Sequence, residues 1–89
     1  MRTTQIPDTP NDALAIEVRL LRSSRGETQD DLSRRLDWTQ TRLSRLETGV
    51  QDWTAIDIWA VAGAYDLTPG QLVGRAYKRL AHYESTANL

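Results

Sequence analysis

Apolar residues recur every three or four positions along most of the chain, in five segments that each follow a polar residue. This spacing places the apolar side chains of one segment on a single face of a helix. The first three faces consist of Leu14, Val18 and Leu21, of Leu32 and Leu36, and of Leu43 and Leu46. The last two consist of Ile58, Val61, Ala62 and Tyr65, and of Leu72, Ala76 and Leu80. No alternation typical of strands interrupts the pattern, which therefore predicts an all-α protein of five helices.

Polar residues that can cap a helix precede each of these segments. Helix 1 is expected over residues 12–25, since Gly26 can adopt the left-handed conformation that ends a helix. Helix 3 is expected to end before Gly49, and helix 5 to run to about residue 83. The expected N-terminal caps, in chain order, are Asn11 or Asp12, Thr28, Thr39, Thr54 and Thr68.

The chain divides into three predicted parts. Residues 1–10 hold two prolines and little apolar surface, so they are expected to form a flexible arm. Residues 11–74 are expected to form the domain, and residues 75–89 a helical extension of it. There is no cysteine and no apolar run of the roughly 20 residues that span a bilayer, and we expect a cytoplasmic protein. The residues contain no metal-ligand set and no nucleophile beside a base, so neither an enzyme nor a cofactor is expected.

Charge alone does not indicate a nucleic-acid partner, because eleven Lys and Arg face twelve Asp and Glu, for a net charge of −1. The arginines are nevertheless concentrated, with four of them between residues 34 and 45. Aspartates at 30, 31 and 37 accompany them. This stretch is either a solvated surface with salt bridges or a surface that contacts phosphates and bases.

The most informative segment is residues 28–49, where two short predicted helices are joined by only Asp37, Trp38 and Thr39. A connection this short makes the two helices cross steeply and bury their leucines against each other. The outward face of the second helix then carries Gln40, Thr41, Ser44 and Arg45, with Arg42 at its shoulder. Amide, hydroxyl and guanidinium groups are suited to the edges of bases.

This segment resembles the Cro/C1-type, or XRE-like, helix-turn-helix family. The matching residues are Gln29, Leu32-Ser33, Leu36, Leu43 and Leu46-Glu47-Thr48-Gly49, flanked by Arg22 and by residues 62–67 with Leu72. The similarity extends over about residues 14–74. It implies a five-helix, lambda-repressor-like domain that binds double-stranded DNA and regulates transcription, with repression as the usual outcome.

The resemblance also implies roles for single residues. Gln29 is expected to contact a phosphate and to brace the first recognition residue. Gln40 and Thr41 are expected to read bases in the major groove, and Arg45 a base or a phosphate. The remaining DNA-contact candidates are Thr39, Arg42 and Ser44, and the resemblance further implies an ion pair between Arg22 and Glu47.

The chain departs from the family pattern at several positions. Asp37 replaces the usual turn glycine, and Glu27 stands where an apolar residue is more common. After Gly49 the residues are Val50, Gln51 and Asp52 rather than lysine or arginine. The loop therefore supplies few phosphate contacts, so either the affinity for DNA is modest or Arg25, Arg34, Arg35 and the N-terminal arm compensate.

A homodimer on an inverted repeat is expected, because one motif makes few contacts with DNA. Tyr77, Leu80 and Tyr83 are the predicted dimer contacts, although the same residues could simply pack on helix 1. Two alternatives remain open: an antitoxin-like regulator that also binds a partner protein, and a protein-interaction module that no longer binds DNA.

The three tryptophans are assigned structural roles, with Trp59 on the packing face of helix 4 and Trp53 at its start.

Overall fold

A computed structural model of the chain describes the backbone of residues 9–87 and the side chains of residues 9–80. Over these residues it contains helices and no strand, so the predicted all-α class with five helices is confirmed. No described helix is long and apolar enough to cross a membrane. The helices are α1 (Pro10–Ser24), α2 (Gln29–Leu36), α3 (Gln40–Glu47), α4 (Ala55–Ala64) and α5 (Pro69–Ala87).

Threonines cap the starts of the helices, as the sequence predicts for α2 to α5. The Thr28 hydroxyl accepts a hydrogen bond from the Asp31 amide at 3.1 Å, and the Asp31 carboxylate accepts one from the Thr28 amide at 2.9 Å. The hydroxyls of Thr39, Thr54 and Thr68 likewise accept a hydrogen bond from an amide in the first turn of α3, α4 and α5. These bonds satisfy amide groups that have no partner within the helix.

The prediction for the start of α1 is wrong by two residues. Thr9, and not Asn11 or Asp12, is the cap, because Pro10 suits the first helical position and the Thr9 hydroxyl accepts from the Asp12 amide at 3.1 Å. Asn11 instead binds the loop after α3. Its side-chain oxygen, Oδ1, accepts a hydrogen bond from the Trp53 amide at 2.6 Å. The rest of the predicted arm, residues 1–8, lies outside the described residues.

The core is one cluster of buried apolar side chains to which all five helices contribute. Leu32 of α2, Leu43 and Leu46 of α3, and Leu72 of α5 are completely buried. Full burial of one such side chain stabilises the fold by about 1.5–3 kcal/mol. Because both leucines of α3 point inward, the polar side of this helix faces solvent.

A buried carboxylate ties α5 to α1. Glu17 accepts hydrogen bonds from Arg75 Nε at 2.7 Å and from Arg79 Nε at 2.5 Å. Both arginines lie on α5, one turn apart, so the pair holds the two helices in register. The helix continues through residues 74 and 75, where the sequence suggested that the domain gives way to an extension.

The packing role predicted for Trp59 is wrong. Its side chain is 71% exposed, whereas the neighbouring Val61 and Ala62 are completely buried. Trp59 points away from the core because the 100° turn per residue separates it from the inward stripe. Trp38 and Trp53 do pack against the core, and the Trp53 indole also donates to the Leu46 carbonyl at 3.1 Å.

Candidate nucleic-acid interface

The turn between α2 and α3 sets the direction of the outward-facing helix. Asp37 ends α2 in the left-handed conformation, with φ 58°. The Trp38 amide then donates to the Ser33 carbonyl at 2.8 Å. Thr39, two residues after Asp37, is the N-terminal cap of α3. The Thr39 side chain forms this cap, which fixes where α3 begins.

Five polar side chains meet on one shallow concave surface, which we call the α3 polar surface. Four of them lie on α3, and the fifth comes from the first position of α2. All five are among the residues predicted from the sequence to contact DNA. They are Gln29, Gln40, Thr41, Ser44 and Arg45.

A buried carboxylate beneath this surface joins three helices. Glu47 of α3 is 1% exposed and accepts hydrogen bonds from Arg22 Nε at 2.9 Å and from Arg22 Nη2 at 3.0 Å. Gln29 Nε2 donates to the same carboxylate at 3.0 Å. Hydrogen bonding to Glu47 raises the pKa of Arg22, against the opposing effect of burial. Gln29 is thereby held by α3 while its other amide hydrogen remains available to a ligand.

Arg42 lies beside the α3 polar surface and has different partners. Its guanidinium stacks on the Trp38 ring at 4.0 Å from the centroid and donates to Asp57 of α4 at 2.5 Å. Burial acts to raise the pKa of Asp57, but hydrogen bonds from Thr54 and Arg42 lower it overall. Arg42 therefore fixes α3 against α4. Sequence reasoning missed Asp57, although the spacing Thr54-x-x-Asp57 is the signature of a capping box.

Glu27, which departs from the family pattern, is the centre of a second polar cluster. Its carboxylate accepts from Arg35 Nε at 2.8 Å and from the Tyr65 hydroxyl at 2.9 Å. Burial acts to raise the pKa of Glu27, yet these hydrogen bonds lower it overall. Burial and the bond to Glu27 raise the pKa of Tyr65, which keeps its hydroxyl a donor. Arg25 and Arg35 both lie over the Tyr65 ring, each at 5.1 Å.

Arg45 differs from most of the other arginines in its electrostatic surroundings. Within residues 9–80, Arg22, Arg35 and Arg42 each form an ion pair with a carboxylate, and the exposed Arg34 pairs with Asp30. Arg45 forms no ion pair with any described residue. Its charge therefore remains uncompensated on the α3 polar surface, where an anion can approach it.

The residues predicted to contact a second copy differ in their exposure to solvent. Tyr77 is 67% exposed, whereas Leu80 packs partly against the core. The side chain of Tyr83 lies outside the described residues. Tyr77 and Leu80 line an apolar groove between α1 and α5.

In the described part of the chain, no three His, Cys, Asp or Glu side chains are grouped as metal ligands.

Comparison with known proteins agrees with this architecture. A family model described as a helix-turn-helix domain matches residues 13–76, which is most of the chain. The match spans the turn at Asp37 and the whole α3 polar surface. No curated protein and no solved structure matches the chain.

Proposed function

Because the chain belongs to the helix-turn-helix domain family, we propose that it is a Cro/C1-type transcriptional regulator that binds a specific sequence of double-stranded DNA. In this proposal α3 enters the major groove, and α2 lies across the sugar–phosphate backbone. The protein acts as a repressor, because a regulator seated on a promoter obstructs polymerase.

The observation that carries the proposal is the composition of the α3 polar surface. Its side chains offer two amides, two hydroxyls and one guanidinium on a concave face. No acidic side chain is among them, so the surface presents no negative charge of its own to the phosphates. Groups of these kinds can bond the donor and acceptor patterns that distinguish base pairs in the major groove.

The roles differ along the helix. Gln40 and Thr41, in the first turn of α3, are the proposed base readers, since the first residues of a recognition helix reach furthest into the groove. Arg45, one turn later than Thr41, binds guanine or a phosphate with its uncompensated charge. Ser44 lies between them and supplies a further hydroxyl contact.

Gln29 and Thr39 position the reading residues. Gln29 is anchored to Glu47 through one amide hydrogen, and in the proposal it donates the other to a phosphate and braces Gln40. Contacts of this kind set the register of the protein on the duplex without carrying sequence information. Arg42 acts at the edge of the interface, because Asp57 and Trp38 hold it to one side.

Two copies on an inverted repeat complete the proposed site. Helix-turn-helix dimers place their recognition helices roughly 34 Å apart, so that each enters the same groove one turn along the DNA. A single copy offers one α3 polar surface with one uncompensated guanidinium. A second copy doubles both the base contacts and the phosphate contacts.

Fluorescence anisotropy tests this proposal, with DNA from upstream of the protein's own gene and a scrambled duplex of equal length. We expect the upstream DNA to bind at least about 10³-fold more tightly, with log affinity falling linearly with log salt. The double substitution Gln40→Ala/Arg45→Ala should remove that preference. Lys78→Ala, which removes one positive charge from α5, is the matched control and should leave it unchanged.

Equal and weak binding to both duplexes, unaffected by the double substitution, would contradict the proposal. That outcome would favour a protein-interaction module that shares the fold.

A further inference from the structure

The outer side of α4 carries an apolar surface that the fold does not use. Ile56 is 76% exposed and Trp59 is 71% exposed. Together with Ala55 and Ala60 they line a depression whose walls are almost entirely apolar. We call these four residues the α4 apolar face.

The inner side of the same helix already supplies what the fold requires. Val61 and Ala62 are buried in the core, and Asp57 is buried where it binds Arg42. Removing a large apolar side chain from water is favourable. Ile56 and Trp59 therefore leave a substantial free energy available to any surface that covers them.

We propose that the α4 apolar face is where two copies of this chain meet about a two-fold axis. A two-fold contact is self-complementary, so each copy must supply both the projection and the depression that receives it. The α4 apolar face has both, since the large Trp59 stands beside the small Ala55 and Ala60. Charged residues are depleted and aromatic residues enriched at the centre of protein interfaces, and this face has that composition.

Charge also favours this face over the groove between α1 and α5. The α4 apolar face contains no charged residue, and the carboxylate of Asp57 is turned inward to Arg42. In contrast, Arg75, Lys78 and Arg79 lie on the α5 segment that borders the groove, and the single carboxylate of Glu17, which binds both arginines, offsets only one of these three charges. A two-fold contact there would bring positive charges of two copies together, which opposes association.

The small size of the face indicates how strong the contact is. A stable interface buries about 800 Å² on each partner, and four side chains of one helix provide less than that. The free protein should therefore associate weakly. If the proposed DNA binding is correct, two copies bound at adjacent half-sites raise each other's effective concentration, and the contact then makes binding cooperative.

Sedimentation velocity of the free protein, at loading concentrations rising to about 1 mM, tests the contact because weak association requires concentrations near the dissociation constant. We expect the wild-type sedimentation coefficient to rise with concentration. Trp59→Gln should remove the rise, whereas the matched control Tyr77→Gln, an aromatic residue of similar exposure on α5, should retain it. Both variants should melt close to the wild-type temperature, since neither side chain belongs to the core.

Crosslinking gives an independent readout, because the chain has no cysteine of its own. A short bismaleimide should join Ile56→Cys chains into dimers at least about tenfold faster than Tyr77→Cys chains, because the proposed contact raises the effective concentration of one introduced thiol near the other. The proposal is overturned by loss of association in Tyr77→Gln, by its persistence in Trp59→Gln, or by a wild-type protein that is monomeric at every concentration.

The two proposals fail separately. Association through α4 in a protein that shows no DNA preference would contradict the proposed function and leave the contact standing. If Trp59→Gln and the wild type bind DNA specifically and their binding curves rise equally steeply with protein concentration, the contact is contradicted and the function stands.

Discussion

Loss of the Glu47 carboxylate should strongly destabilise the domain. It is almost fully buried and accepts two hydrogen bonds from Arg22 and one from Gln29. The substitution Glu47→Ala removes the carboxylate and leaves the guanidinium beside it without a counter-charge. Arg22 keeps only its bond to the Glu27 carbonyl, at 2.8 Å.

The size of the effect follows from burial. Removing one partner of a buried ion pair costs about 3–5 kcal/mol, because an uncompensated charge stays behind. The total stability of a domain is only about 5–15 kcal/mol. A change of 1 kcal/mol shifts the melting temperature of a domain this size by about 4–8 °C, so the melting temperature should fall by at least about 12 °C.

Thermal and urea unfolding followed by circular dichroism measure this change. The matched control is Asp30→Ala, which breaks the exposed ion pair with Arg34 and should cost no more than about 1 kcal/mol. A Glu47→Ala variant that melts within a few degrees of the wild type would refute the reasoning, since the pair would then contribute no more than an exposed one.

Three further predictions concern pH and backbone geometry. The pKa of Glu27 and of Asp57 is lower in the folded protein than in the unfolded chain, so their stabilisation is present at neutral pH and is lost as the pH falls through the folded values. The urea concentration at the unfolding midpoint should therefore decrease as the pH is lowered below about 4. Glu27→Gln should make this decrease smaller. An unchanged pH profile in this variant would contradict the role assigned to the Glu27 carboxylate. Gly49→Ala should destabilise more than Gly26→Ala. Both glycines have positive φ, but only at Gly49 would an added Cβ come within 2.9 Å of another atom, Asp12 Oδ1, so that the Asp12 side chain must shift. Equal unfolding midpoints would count against this reasoning. Asp37→Gly should raise stability by up to about 1 kcal/mol, since glycine adopts the left-handed conformation without steric strain, and a lower melting temperature would show that Asp37 contributes more than its backbone conformation.

Much of the fold could be predicted from local patterns. The threonine caps of α2 to α5 and the inward-facing leucines of α2 and α3 depend on residues within one or two turns of each other, so spacing identifies them. The outward position of Gln40, Thr41, Ser44 and Arg45 follows from the same periodicity, because Leu43 and Leu46 must point inward. The resemblance added Gln29, whose side chain reaches this surface from α2.

Tertiary structure decided what depends on residues distant along the chain. Tyr65 and Glu27, 38 positions apart, form a hydrogen bond, and no local pattern brings them together. Arg42 is directed to the side by Asp57, which lies on another helix. The exposure of Trp59 was equally hidden, because α4 is apolar on nearly every side and its periodicity does not show which side faces the core. Only the packing of α4 on its neighbours selects that side, and it leaves Trp59 and Ile56 in solvent.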